Sequence, residues 1–376
     1  NGLSRKIYLK LPLPTEDDPR SDQQRILDSL AVAGVEERVH ITVHILRKLY
    51  PLLDNAKWKI TVSLAWNGEN WEMVEIEEGD TTVQHYGLAV DLGSTTVVAR
   101  LLDCNSGEIL KEVSCFNKQI QWGTDILSRI FYCKDNREKL EEVRRATVES
   151  ICECLDKLDA SLEMQGTPSE QKTENNGVSE SCDDRGAKNA AQKARSISRS
   201  ALSMVIAGNT TMIHFLLGMD AFCVFYTPHA VHADCPGFQL ARDLDIPLKG
   251  YVYCYPAKSN YLGGDIISGM IDTELYKKNE ISVFFDIGTN GELVIGNKEF
   301  LLCGAGAAGP ALEGGVVRTG MRADIGAVDE VKIRDGNIFV HVIGNSAPQG
   351  ICGSGIIDLI AELFLEGWID IRGKLS

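Results

Sequence analysis

Three short stretches of the sequence hold the residue types from which a phosphate site is made. Asp91-Leu-Gly-Ser-Thr-Thr96 and Asp286-Ile-Gly-Thr-Asn-Gly-Glu292 each place a carboxylate at the end of a buried strand, then a tight turn of small and hydroxyl residues. Glycine lets the backbone approach an anion, exposed N–H groups and hydroxyls donate to phosphate oxygens, and the Asp can hold a hydrated Mg²⁺. One copy alone is as well explained by hairpin-turn chemistry. Two copies in order, each an apolar strand, Asp, aliphatic, Gly, Thr-containing turn and second apolar strand, are an internal duplication and point to a nucleotide.

Gly350-Ile-Cys-Gly-Ser-Gly-Ile-Ile-Asp358 runs directly into an amphipathic helix, IIDLIAELF. Small residues at a helix start leave room for adenine or ribose and offer N-terminal N–H groups to oxygens. Close helix–strand packing explains the same glycines; as the third element after two phosphate hairpins, the cluster reads as nucleotide-binding. Asp265, in Gly263-Gly264-Asp265, either orients water or Mg²⁺ or caps the helix IISGMI. Glu292 either caps the turn, positions the attacking water or is a structural residue of an outgoing strand, and Gly304 to Gly315, with Glu313, is expected to open a helix near the nucleotide. His214, on an apolar helical stretch, is expected to be a satisfied core histidine.

The elements that position these residues follow from pattern. Residues 4–11 alternate as a strand, Asp22–Ala33 and Ile41–Asp54 have helical spacing, and Lys57–Trp66 and Trp71–Glu77 are strands joined by Asn67-Gly68-Glu69-Asn70. Residues 1–83 are thus expected to form a small α+β domain, and 84–376 an α/β domain opened by the hairpin at Tyr86. One helical stretch is expected from Asp125 through Leu158, a strand at Ser203–Ala207 and a helix at Thr210–Leu217. Residues 163–198 are nearly devoid of large apolar side chains and are expected to be a disordered insertion.

Composition excludes several classes. With 38 Lys+Arg against 53 Asp+Glu the net charge is −15, without a basic stripe, which disfavours nucleic acid as a partner. The most apolar stretch, Met204–Met219, is interrupted by Asn209, Thr210, Thr211 and His214, so no membrane span is expected. Eleven cysteines, an odd number without a C-x-x-C pair, fit a reduced cytoplasmic protein, and Cys152 and Cys154, two apart on a helix, do not share a face for metal binding. No signal-peptide pattern precedes Asn1, which has the look of an internal point of a longer chain.

Hairpin, hairpin and glycine-to-helix turn in this order resemble the ASKHA superfamily, whose actin-like, ribonuclease H-like fold is a duplicated α/β domain. The wording VDLGSTTV, VIAGNTTMIH, YLGGDIISG, FFDIGTNGELV, CGAGAAGPALEGG and GICGSGIIDLIAEL resembles one branch, the reductive activators of corrinoid enzymes, from about residue 86 to the end. Residues 1–83 more weakly resemble that family's small middle domain.

The resemblance implies an ATP-binding, ATP-hydrolysing module that serves to restore Co(I) from Co(II) in corrinoid proteins of methyl-transfer metabolism. It implies a first phosphate loop of Asp91, Gly93, Ser94, Thr95 and Thr96, and a second of Asp286, Gly288, Thr289, Asn290 and Gly291. It also implies an adenosine motif of Gly350, Gly353, Ser354 and Gly355, with Asp91 and Asp286 on Mg²⁺ through water. The implied partners are a corrinoid iron–sulfur protein and an upstream ferredoxin-like domain carrying the two-iron two-sulfur cluster, whose cysteine spacing is not found in this sequence; a homodimer is implied by the resemblance alone. The family's last lobe continues past the adenosine helix, whereas this sequence stops at Ser376. Two other classes stay open: a small-molecule kinase, with Asp265 as its base, and a non-redox nucleotide switch of the actin or chaperone kind.

Overall fold

The computed structural model describes residues 2–123, 125–165, 196–287, 290–307 and 317–375, so the bulk of the expected 163–198 insertion lies outside the described residues. Two compact units are present, Asn1–Lys278 and Asn279–Ser376.

In the first unit, residues 1–83 form a four-stranded sheet of order β1-β3-β4-β2, from β1 (Ser4–Lys10), β2 (Val39–Ile41), β3 (Lys59–Trp66) and β4 (Trp71–Glu78). The helices α1 (Asp22–Val32) and α2 (Val43–Asn55) bring Ile26, Leu30, Ile45, Leu49 and Leu53, spaced by four, against Ile60, Val62, Leu64, Met73 and Ile76. Ile41, expected to open α2, instead ends β2, which pairs parallel with β4; three residues are too few to show a strand period.

The second sheet of this unit has order β7-β6-β5-β8-β10-β9. Here β5 (Tyr86–Leu92), β6 (Thr96–Asp103) and β7 (Ile109–Phe116) form an antiparallel meander. Next to it, β8 (Ser203–Gly208) and β10 (Tyr251–Cys254) run parallel to β5, and β9 (Gly237–Leu240) closes the edge antiparallel. The expected 125–158 helix is two helices, α3 (Ile126–Cys133) and α4 (Arg137–Gln165). Asp135 is left-handed (φ 54°) and the Asn136 side chain accepts from the Lys139 N–H at 3.0 Å, so local Asp/Asn turn chemistry overrides the helical period there. α4 lays Val143, Ile151, Leu155 and Leu158 on the sheet. The short α5 (Thr210–Leu216) follows β8, and α6 (Gly264–Thr273) precedes the end of the unit.

The two sheets of the first unit are joined by polar contacts. Glu75 meets Lys249 at 2.6 Å, Tyr251 donates to Glu72 at 2.8 Å, and Ser4 hydrogen-bonds His85, just ahead of β5, at 2.8 Å. Burial, with Glu72 adding to it, pushes the Tyr251 phenol up to about 12.

His214 is buried as expected, but only half satisfied: Nδ1 donates to the Thr210 carbonyl at 2.7 Å, while Nε2 has no partner among the described residues. Burial holds both His214 and His85 below the usual imidazole range, with His232 opposing and Asp220 favouring the charged form of His214. The unfolded chain therefore binds protons that the folded chain refuses, and the stability from neutral rings is present above about pH 6.5 and lost as pH falls. The urea midpoint should decrease from pH 7.5 to pH 5.5, above the carboxylate range, and His214→Phe should flatten that decrease. An unchanged slope in the variant would remove His214 from the account.

The second unit repeats the meander: β11 (Ser282–Ile287), β12 (Asn290–Gly296) and β13 (Leu301–Ala307) are antiparallel neighbours, with Asp286 penultimate in β11 as Asp91 is in β5. Two expectations are corrected here. β11 is not a buried strand: Val283, Phe285 and Ile287 are 57%, 57% and 80% exposed, because among the described residues nothing packs on that face of the three-stranded sheet. Gly304–Ala307 are strand, since their ladder to β12 decides the conformation of glycines and alanines that carry no period of their own; residues 308–316, which hold the rest of the expected helix opening and Glu313, lie outside the described residues.

The rest of the unit has order β15-β14-β16, from β14 (Ala327–Arg334), β15 (Asn337–Val342) and the two-residue β16 (Gly350–Ile351), covered by α7 (Gly353–Leu365). Beyond β16, the N–H groups of Val331 and Ile333 donate to Asp358 at 3.3 Å and Glu362 at 2.9 Å. Four residues of helix advance about 6.0 Å and two of strand about 6.6 Å, so the spacings match.

Candidate nucleotide site

In open α/β sheets ligands gather outside the carboxyl ends of parallel strands. In the first unit Asp91 pairs with Ala207 and Leu92 with Gly208 at that end of β5 and β8. A Cβ on Gly208 would lie 2.7 Å from the Leu92 carbonyl oxygen, and one on Gly263 would lie 2.5 Å from Asn209 Cα, so three chain segments converge backbone to backbone. This edge brings together Asp91, the Gly93–Thr95 turn, Asn209 at the start of α5 and Asp265 in the first turn of α6. Gly263, not Asp265, is the N-cap of α6; the Asp265 carboxylate accepts from the Ile266 N–H at 2.8 Å.

The turn is held from one side. The carbonyl of Gly93 accepts from Asn117 Nδ2 at 2.9 Å, that of Ser94 from Arg129 Nη1 at 2.7 Å, and that of Thr95 from the Asn117 N–H at 2.8 Å. In a trans peptide the N–H is opposed to the C=O, so these bonds turn the N–H groups of Ser94, Thr95 and Thr96 the other way. Gly93 is sterically required, as a Cβ there would lie 2.4 Å from the Thr96 carbonyl oxygen. Asp91 is exposed at the strand end, and Ser94, Thr95 and Thr96 are half-buried.

Arg129 is buried behind this turn. Besides Ser94 it donates to Gln119 Oε1 at 3.1 Å and, through Nε, to the Gly123 carbonyl at 3.0 Å; its Nη2 has no partner among the described residues. Burial pushes its pKa down to about 10, against the favourable charge of Asp125.

In the second unit Asp286 is half-buried and directly opposite Glu292 across the β11–β12 ladder. Gly288 and Thr289 lie outside the described residues, Asn290 opens β12, and Gly291 pairs with Gly306. At the third motif, Cys352 is the N-cap of α7 and Gly353 its first residue, while the Ser354 hydroxyl donates to the Asp329 carbonyl at 2.9 Å. Cβ atoms on Gly350 and Gly355 would lie 2.6 Å from the Thr319 and 2.3 Å from the Val328 carbonyl oxygens. Close helix–strand approach is therefore a role that Gly355 does have, and Gly350 lets β16 approach the chain at Thr319.

Comparison with known proteins decides the family. The RACo linker region matches residues 1–83, the RACo middle region 86–171 and 169–278, and the C-terminal domain of RACo, the ASKHA domain, 280–376. The chain belongs to the RACo family. Its curated RACo-like relatives include the corrinoid activation enzyme RamQ of Eubacterium limosum, 33% identical over 293 residues, which are 77% of this chain and 43% of RamQ. The [Co(II) methylated amine-specific corrinoid protein] reductase of Methanosarcina barkeri is 28% identical over 142 residues, 32% of this chain and 26% of the reductase. A solved reductive activator for corrinoid, iron–sulfur protein superposes with a TM-score of 0.81 at 34% identity, over 100% of this chain and 55% of that one. The chain thus spans about half, or less, of the length of these relatives. The mixed α/β ASKHA fold expected from the motifs is the fold of the RACo family.

Arg129, Asn117 and Gln119 have no place among the residues expected from the sequence. A signal for Arg129 exists: Ile126, Arg129, Ile130 and Cys133 share one face of α3, so an arginine sits where the period calls for an apolar side chain. Asn117 and Gln119 carry no such mark, because their role depends on β7 ending beside the turn.

Proposed function

We propose that this chain is the ATP-binding and ATP-hydrolysing part of a reductive activator that restores Co(I) from Co(II) in corrinoid proteins. The electron would come from an iron–sulfur domain outside these 376 residues. The observation that carries the ATP reading is the Gly93–Thr95 turn, whose three carbonyls are bonded on one side at the carboxyl ends of β5 and β8. Backbone so oriented is a cradle for an anion. Family membership supports the corrinoid protein as partner.

In this reading Gly93, Ser94, Thr95 and Thr96, with Gly288, Thr289, Asn290 and Gly291, take the phosphates. Gly350, Gly353, Ser354, Gly355 and Glu313 take the adenosine end, and Asp265 orients the attacking water. Asp91 in the first unit and Asp286 in the second would each hold Mg²⁺ through water. When bound, Mg²⁺ supplies positive charge at the β- and γ-phosphate oxygens. Water attacks the γ-phosphorus in line, the bond to the β,γ-bridging oxygen breaks, and ADP and phosphate leave. The coupled step adds one electron to Co(II); each 59 mV of uphill transfer costs about 1.4 kcal/mol, which nucleotide-dependent binding must supply.

Anaerobic visible spectroscopy tests this. The chain, its iron–sulfur partner, a Co(II) corrinoid protein and a low-potential reductant should give the Co(I) band only when Mg·ATP is added. No effect of ATP on cobalt, with ADP released only on adding sugars or carboxylic acids, would replace the activator reading with the small-molecule kinase.

A further inference from the structure

We propose that Arg129 is the positioning residue of the first phosphate loop, and that its buried charge is the one the nucleotide's phosphates answer. The inference rests on the ATP reading above and adds a residue and an electrostatic logic to it.

Three observations meet at Arg129. It is 0% exposed, yet among the described residues it makes no ion pair, and the Asp125 carboxylate that favours its charge is already tied to Ser128 at 2.8 Å and 2.6 Å. Its hydrogen bonds go to neutral acceptors, the carbonyls of Ser94 and Gly123 and the Gln119 amide oxygen, and Nη2 is left over. A buried cation without a partner is costly and is retained where something else uses it. What it touches is the carbonyl at the middle of the phosphate turn.

The neighbouring groups fit the same logic. Gln119 Nε2 donates to Thr147 Oγ1, which donates onward to the Val143 carbonyl at 2.9 Å, so the amide is fixed with its oxygen toward Arg129. A Glu at this position would be an internal counter-ion; the neutral Gln leaves the charge unspent. Pulling the Ser94 carbonyl inward turns the next N–H outward, and the guanidinium adds a positive field on that axis. An anion cradled by the turn gains from both, whereas the uncharged part of a nucleotide gains from neither.

The test compares ligands that differ only in phosphate. Dissociation constants of the full chain for Mg·ATP, Mg·ADP and adenosine are measured by calorimetry or, for weak binding, by saturation-transfer NMR. Arg129→Met should weaken ATP and ADP about tenfold or more and leave adenosine within twofold, with Arg129→Lys recovering part of the loss. Gln119→Glu keeps the bond to Ser94 but supplies the missing carboxylate; it should weaken ATP several-fold, leave adenosine alone and raise the melting temperature of the ligand-free chain. A purely structural Arg129 predicts equal losses for all three ligands, and an unchanged ratio of ATP to adenosine affinity in Arg129→Met would overturn the proposal. If Arg129→Met does not fold, the same ratio in Gln119→Glu decides. A wild-type chain that does not bind ATP overturns the nucleotide reading itself, before any variant is made.

Discussion

Asp91→Ala should abolish ATP turnover, a loss of about a hundredfold or more, while leaving the melting temperature nearly unchanged. The two halves of that expectation have separate grounds. The side chain is exposed at the end of β5, so its removal opens no cavity, and the strand is fixed by its ladders to β6 and β8. Its carboxylate is proposed to hold, through water, the Mg²⁺ that offsets the phosphate charge, and losing one preorganised electrostatic contact of that kind costs about 3–4 kcal/mol of barrier. Phosphate release measured on variant and wild type, alongside thermal unfolding, separates the two. Full turnover in Asp91→Ala would remove the first hairpin from the catalytic site, and a large drop in melting temperature would make it a structural residue.

Gly355→Val should strongly destabilise the second unit. A Cβ at this position would lie 2.3 Å from the Val328 carbonyl oxygen and 2.9 Å from Ile351 Cγ1, and the first is backbone that cannot rotate away. α7 would have to lift from β14, losing the bonds from Val331 and Ile333 to Asp358 and Glu362 and opening the packing around buried Cys352 and Ile356. Overpacking alone costs about 1–3 kcal/mol, and each lost bond to a carboxylate adds about 1.5 kcal/mol or more, so unfolding of this unit is the expected outcome. Urea denaturation or limited proteolysis reads it. A variant as stable as wild type would mean that α7 does not need its close approach to β14.

What the sequence showed and what it hid differ by physical cause. The two hairpins were legible because apolar alternation, a carboxylate and a glycine turn recur as a unit, and the duplication of β5–β6–β7 as β11–β12–β13 follows from it. Helices spaced by four, such as α1 and α2, were legible within a residue or two at most ends. The break at Asp135 was not, because the polar run Lys134–Lys139 carries no period that marks where one helix stops and the next begins. The strand at Gly304–Ala307 was not, because small residues carry no period and only the partner β12 decides. The site was half legible: the turn residues announced themselves, whereas Asn117 and Arg129, which orient the turn, come from 22 and 34 positions beyond Thr95 and meet it only through the fold.

The carboxylates of Asp358 and Glu362 have one more consequence. β16 covers only the first two residues of β14, so the remainder of that strand would otherwise present bare donors of the kind that recruit a strand from another molecule. By satisfying Val331 and Ile333 from the side of a helix, the two acids end the sheet without another strand. On this side of β14 they act as a seal against edge-to-edge association, made by a pair of side chains four residues apart.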